Sequence, residues 1–233
     1  MVFASDDGEV IIGIDEDSDS SDEHLIAYNF KRDETIKIAK NTTDNILVSS
    51  NRREMLIGID SKYYISINGG ERIKVGNYSY LAPLLPRFTP YMGYCLSSAE
   101  TFVGTMLVYC EDSTYSIGYI DESFEMQKVI KDVGSAHNIY MTDDNSAIYY
   151  IRSGNLYVAY LETNYESEKI ASDVVSYKIS QDGKEVYYVD SAETLFGLRN
   201  GEEKEIADDV HANSLDITLD DTVFFLSDYS DGC

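Results

Sequence analysis

The chain has 233 residues, 42 acidic and 18 basic, for a formal charge of −24. Such a surface repels a phosphate backbone and an anionic membrane, which argues against nucleic acid and against direct membrane contact. At 43% hydrophobic and 12% aromatic it is a folding composition rather than an acidic tail, and no apolar run approaches the roughly 20 residues that span a bilayer.

The first residues, Met1 to Asp7, lack the basic start and apolar stretch of a signal peptide. From there one pattern recurs. Glu9-Val-Ile-Ile-Gly-Ile-Asp15 returns as Glu54 to Asp60, Thr105 to Glu111, Ser146 to Arg152, Lys184 to Asp190 and Asp221 to Ser227. The third positions are Ile11, Leu56, Leu107, Ile148, Val186 and Val223, spaced 45, 51, 41, 38 and 37 residues apart. Blades of a β-propeller repeat at roughly 40–45 residues. The units predicted are 2–43, 44–90, 91–136, 137–174, 175–210 and a partial 211–233.

Each unit reads as four short strands, a to d. In the fifth unit they are Val175–Ile179, Glu185–Val189, Thr194–Leu198 and Lys204–Ile206, with turns at Asp182-Gly183 and Asn200-Gly201. Asp-Gly and Asn-Gly suit tight hairpins because glycine takes positive φ cheaply. Strand b is apolar on successive residues, which predicts burial of both faces. Asp-Val recurs at the d–a junctions as Asp132-Val133, Asp173-Val174 and Asp209-Val210. The fold expected is all-β, a β-propeller of four-stranded blades with five units and a partial sixth, in one domain. The sixth unit has only strands a and b, so the chain reads as a fragment of a longer one.

The run from Val174 to Val210, with Ile-Ser-x-Asp-Gly-Lys, Val-Tyr-Tyr-Val-Asp and Ile-Ala-Asp-Asp-Val, resembles the repeats of TolB-like, WD40-like bacterial β-propellers. It is similar above all to the Tyr-rich versions in Firmicutes proteins of unknown function. The chain has no Trp, hence no Trp-Asp dipeptide and no sialidase-type aspartate box. The resemblance implies a propeller and an extracytoplasmic setting with a membrane-anchored parent. It implies no particular activity, because propellers host many.

Two segments stand out. The acidic run Asp15 to Asp22 puts Asp15, Asp17 and Asp19 at calcium-loop spacing, but Ser20 and Ile26 replace the required Gly and Glu, so it is a weak Ca²⁺ candidate against a solvated acidic loop. The longest interval holds all three prolines, Pro83, Pro86 and Pro90, with Tyr78, Tyr80, Arg87, Phe88 and Tyr91. Proline blocks ladder pairing, so strand d is expected to end at Val75 and the next strand a to run from Met92 to Leu96. The excursion between them is either a binding surface of aromatics and one Arg or a loop bracing a neighbouring blade.

Cys95 and Cys110 are expected opposite each other on the third a–b hairpin, either bonded or as two buried thiols. His24, His137 and His211 show no ligand spacing. No nucleophile elbow or phosphate loop is present, and no cofactor is implied.

The expected function is a non-catalytic module binding a protein or surface ligand. The alternatives are a carbohydrate-active enzyme with Asp/Glu chemistry in the propeller funnel, and a spacer. Self-association through the last, unpaired blade edge is also expected. Size-exclusion chromatography should then show associated species; a clean, stable monomer would count against the open edge.

Overall fold

The computed structural model describes residues 2–16, 23–40, 45–84, 95–96, 99–180, 182–218 and 220–227. The fold is all-β and repeats the four-stranded antiparallel blade of a β-propeller. Among the described residues no helix is long and apolar enough to cross a membrane. The chain forms two compact units, Met1–Asp132 and Val133–Cys233.

In the first unit, blade 1 comprises β1 (Val2–Ala4), β2 (Val10–Glu16), β3 (Glu23–Asn29) and β4 (Glu34–Lys40). Blade 2 comprises β5 (Asn45–Val48), β6 (Glu54–Ile59), β7 (Lys62–Ile67) and β8 (Ile73–Gly76). Blade 3 is built from β9 (Tyr80–Pro83), β11 (Met106–Glu111), β12 (Thr114–Ile120) and β13 (Met126–Ile130), while β10 (Cys95–Leu96) joins blade 2.

In the second unit, blade 4 comprises β14 (Ile139–Met141), β15 (Ala147–Arg152), β16 (Asn155–Tyr160) and β17 (Ser167–Ala171). Blade 5 comprises β18 (Val174–Ile179), β19 (Glu185–Asp190), β20 (Leu195–Arg199) and β21 (Glu202–Ala207). The described part of blade 6 is β22 (Asp216–Ile217) paired with β23 (Val223–Phe224).

Second strands are apolar on both faces because both faces are covered. Met55, Leu56 and Ile57 of β6 are inaccessible, and so are Ile148 and Tyr150 of β15. The Asp-Val junctions are equally regular. Asp132, Asp173 and Asp209 are left-handed, at φ 55°, 56° and 54°. Each turns the chain so that Val133, Val174 or Val210 drops into the interior. Aspartate tolerates this backbone better than most residues.

A repeated side-chain device closes the turn before each second strand. The Ser5 hydroxyl donates to Asp7 Oδ1 at 2.6 Å and accepts the Val10 N–H at 3.0 Å. Ser49 with Asn51 and Glu54 does the same in blade 2. Thr142 with Asp144 and Ala147 repeats it in blade 4, and Ser180 with Asp182 and Glu185 in blade 5. Thr218 with Asp220 and Thr222 repeats it in blade 6. These short polar side chains satisfy backbone groups that a tight turn leaves open. Among the described residues blade 3 shows no such turn, and the excursion falls in that connection.

Every complete blade also carries a bulge between its third and fourth strands. The register shifts fall at Leu25/Ile26, Tyr63/Tyr64, Ile117/Gly118, Leu156/Tyr157 and Leu195/Phe196. A bulge bends its strand and increases the local twist.

The excursion corrects the sequence reading. Blade 3 starts with Tyr80–Pro83, paired antiparallel with β11, not with Met92–Leu96. Tyr80–Pro83 lies at the edge of its sheet, and Leu84 rather than Pro83 donates to Met106 O, at 2.7 Å. Proline at a strand end on an edge costs the ladder nothing. Leu81, Ala82 and Leu84 are buried, which rewards the pairing. Cys95 and Leu96 instead pair in parallel with Leu47 and Val48. The excursion is then tied to blade 2 on the far side. Ser50 N–H donates to Ala99 O at 2.8 Å, and the buried Glu54 carboxylate accepts the Phe102 N–H at 2.6 Å.

The expected Cys95–Cys110 hairpin pairing is therefore absent. Cys110 faces Tyr80 on one side and Tyr115 on the other, and its thiol is free and buried.

In the second unit, tyrosine hydroxyls stitch blade 5 to blade 4. Tyr177 donates to Tyr149 O at 2.9 Å and Asn138 O at 3.0 Å, and Tyr149 donates to Gly183 O at 2.9 Å. Gly183 is at φ 72°, and a Cβ there would stand 2.7 Å from Thr142 Cγ2. Only glycine allows the two turns to approach so closely.

Two outcomes follow. Tyr177→Phe removes the hydroxyl but keeps the ring, and should cost about 1 kcal/mol in urea unfolding. An unchanged midpoint would show the stitch to be dispensable. Asp144 is held at about 2 by the Ser146 hydroxyl and N–H and by Thr142, and Asp182 at about 2 by the Lys184 N–H and ammonium and by Ser180. Both folded values lie below the ordinary 3.8, so their stabilisation is present above that pH and is lost as pH falls from 3.8 toward 2. Asp144→Asn/Asp182→Asn should flatten the dependence of stability on pH in that window, as measured by urea unfolding at stepped pH.

Candidate functional site

The candidate residues of the excursion are placed as follows. Tyr78 is buried, its ring 5.0 Å from that of Tyr109. Tyr80 packs edge-on against Tyr115 at 5.9 Å, and its buried hydroxyl has no hydrogen-bond partner. Burial pushes the Tyr80 phenol well above its usual range. Tyr78 belongs to the core cluster of blades 2 and 3, and Tyr80, partly buried, packs against it. Arg87, Phe88 and Tyr91 lie outside the described residues.

Of the acidic run, Asp15 is exposed in β2 opposite His24, while Asp17 and Asp19 lie outside the described residues. Among the described residues no three His, Cys, Asp or Glu side chains form a metal-holding group. His137 falls in the 3-10 turn Ala136–Asn138, and His211 just precedes the one at Ala212–Ser214.

A cleft of about 400 Å³ opens instead inside the second unit, between β17 and blade 5. One wall is the continuous stretch Lys169, Ile170, Ala171 and Ser172. The other is Tyr188 and Asp190 from β19, Phe196 from β20 and Glu203 from β21.

Strand register assembles the blade 5 wall. Tyr188 lies directly opposite Phe196, and their rings stack at 5.2 Å and 22°. The Tyr188 hydroxyl donates to Glu203 Oε2. Burial and that carboxylate push the Tyr188 phenol up, so it stays a donor at any ordinary pH. Asp190 Oδ1 accepts the N–H groups of Ala192 and Thr194, both at 2.9 Å, and so shapes the following turn. On the blade 4 wall, the Lys169 ammonium donates to Ser172 Oγ at 3.1 Å. No ion pair joins Lys169 to Glu203 or Asp190 among the described residues.

The repeat makes the cleft more informative. Tyr150 and Tyr188 occupy the same position of the second-strand motif. Tyr150 stacks on its opposite residue Tyr157 at 5.4 Å and 13°, as Tyr188 does on Phe196. In blade 4 the motif ends in Arg152, whose guanidinium covers the Tyr157 ring at 4.4 Å. In blade 3 the Lys128 ammonium stands 5.9 Å from the ring of Tyr109, the counterpart of Tyr150. At that position Arg152 is the exception, since blades 1, 2, 3 and 5 carry Asp15, Asp60, Glu111 and Asp190. No described Lys or Arg stands over the Tyr188–Phe196 pair.

None of the cleft residues is singled out by the sequence reading. The sequence carries no signal for them, because Asp190 stands where three other copies of the repeat also have an acid, Asp15, Asp60 and Glu111.

No family model matches the sequence, and no curated protein does. Solved structures supply similarities of fold. TolB from Acinetobacter baumannii is 10% identical with a TM-score of 0.37, over 89% of this chain and 55% of that one. An oligogalacturonate lyase in complex with manganese is 15% identical with a TM-score of 0.44, over 97% and 73%. An uncharacterized protein of Listeria monocytogenes EGD-e is 13% identical with a TM-score of 0.40, over 85% and 63%. This chain spans about half the length of that TolB.

Proposed function

We propose that the chain is a non-catalytic binding module whose ligand site is the cleft between blades 4 and 5. The observation that carries this reading is the half-exposed Phe196 ring, stacked on the buried Tyr188 and lining the cleft with the carboxylates of Asp190 and Glu203. A small concave site with a ring floor and a few convergent polar groups is what ligand pockets use.

A catalytic reading asks for a free acid–base pair. Here Asp190 is engaged by two backbone N–H groups and Glu203 by the Tyr188 hydroxyl. Both carboxylates serve to position other groups, which favours binding over the carbohydrate-enzyme alternative. The excursion around Arg87, Phe88 and Tyr91 is proposed as a second contact surface, and the extracytoplasmic setting goes with the same reading.

The test is a ligand panel of amino acids, saccharides, polyols and nucleosides, scored by the rise in unfolding temperature of the whole chain. At least one class should stabilise the protein, and Phe196→Ala, measured against its own unliganded unfolding temperature, should abolish the effect. Stabilisation that survives Phe196→Ala, or no stabilising class at all, would overturn the cleft as the binding site.

A further inference from the structure

We infer that the free edge of blade 2 takes an extended acidic peptide, added beside β8 as a further strand, with its carboxylates meeting Lys62, Arg72 and Lys74. The surface lies in the first unit and does not depend on the cleft of the second.

Register brings the three charges to one face. Lys74 lies opposite Tyr64, and the Arg72 guanidinium covers the Tyr64 ring at 4.7 Å. Lys62, two residues before Tyr64 on β7, shares that face by alternation. All three cations are exposed, in a chain with 18 basic residues against 42 acidic. None of them makes an ion pair among the described residues, not even with Asp60 or Glu71, the nearest acids in sequence.

Guarding the edge explains one of the three. Blades 1 to 4 each carry a lysine at the same register position of the outer strand: Lys37 opposite Ile26, Lys74 opposite Tyr64, Lys128 opposite Gly118 and Lys169 opposite Tyr157. A lysine on an edge strand discourages unwanted pairing. Arg72 and Lys62 go beyond that rule. At the position of Arg72 the other complete blades have Thr35, Met126, Ser167 and Glu203. At the position of Lys62 they have His24, Ser116, Asn155 and Thr194. Blade 2 alone gathers cations at all three positions.

The backbone selects a peptide. β8 is the last strand of its sheet, so one side of it has no partner strand among the described residues. Ile73, opposite the buried Ile65, is 39% exposed on the face away from the cations. A strand added beside β8 thus meets cations on one face and an apolar side chain on the other. Main-chain pairing gives such a complex affinity, and alternate side chains give it specificity. The matching sequence alternates acidic and apolar residues. A second copy of the chain is disfavoured by the charge of −24 that each copy carries. Screening limits the reach of exposed charges to about 10 Å at ordinary salt, which suits a short acidic strand better than a long polyanion that meets the whole acidic surface.

The experiment uses the whole chain and a short, end-capped, fluorescently labelled peptide alternating Glu and Val, followed by anisotropy. The comparison probes are the same residues with the Glu in one block, the alternating peptide with Gln for Glu, and a linear polyuronate. The alternating Glu peptide should bind, less tightly as salt is raised, and should slow hydrogen exchange of the β8 amides. The Gln peptide should bind about tenfold more weakly, because several exposed charge contacts together are worth roughly one decade. Lys74→Glu should weaken the Glu peptide about tenfold and Lys74→Gln by less. Lys204→Glu, the same charge change on the exposed edge strand β21, should leave binding unchanged. Thermal unfolding checks that each variant folds. Equal binding of the block peptide, or binding without protection of β8, overturns strand addition. Binding of the polyuronate alone gives the cations to a saccharide, and self-association abolished by Lys74→Glu gives the edge to a second copy; either result overturns the inference. So does the failure of every probe to bind.

Discussion

The Tyr177 hydroxyl in blade 5 reaches two carbonyls of blade 4, and Tyr149 in blade 4 reaches back to the turn of blade 5 at Gly183. A blade with a double-sided apolar strand cannot stand alone in water, so each sheet needs a neighbour on both faces. Apolar burial supplies the drive but no direction. A phenol does both jobs, offering a ring to the interface and one donor that specifies which carbonyl the next sheet must present. Tyr149 and Tyr177, two of the twenty tyrosines of a chain without tryptophan, are put to this use in the second unit. The cleft between β17 and blade 5 exists because the two blades are held at a defined setting.

Polar devices set the turns in the same spirit. Five blades place a Ser or Thr hydroxyl between an Asp or Asn and the first backbone N–H of the second strand. These are local contacts, cheap in entropy to form. The outer strands carry the charge. In β21, Glu202, Glu203, Lys204 and Glu205 are all exposed on an edge that would otherwise invite a strand from another molecule. The acidic surplus therefore has a structural use at sheet edges as well as in solubility.

Much of this was legible from residues. Repeat spacing, strand positions, the Asn-Gly turns and the Asp-Val junctions are local patterns, and local patterns decide them. The excursion was misjudged because Pro83 was weighed by its missing N–H alone. Whether that N–H matters depends on which side of the strand has a partner, and partnership between sheets is not written locally. Cys95 was misplaced with it, since β10 pairs with a strand of the previous blade. The cleft was missed for another reason. Tyr188, Phe196 and Glu203 look like ordinary blade residues, and the cleft they line is completed only by the outer strand of another blade, Lys169 to Ser172.

The bulges between third and fourth strands have a consequence for the contact between blades. In blade 4 the ladder passes from Leu156–Ala171 to Tyr157–Lys169, so Ile170 is the extra residue. Without it, counting back from Ala171 would set Lys169 opposite Val158, on the face that packs against blade 5. The extra residue instead sets Lys169 opposite Tyr157, on the other face, and turns Ile170 toward the apolar contact between the blades. A counting irregularity one residue long thus keeps a charge out of the inter-blade core.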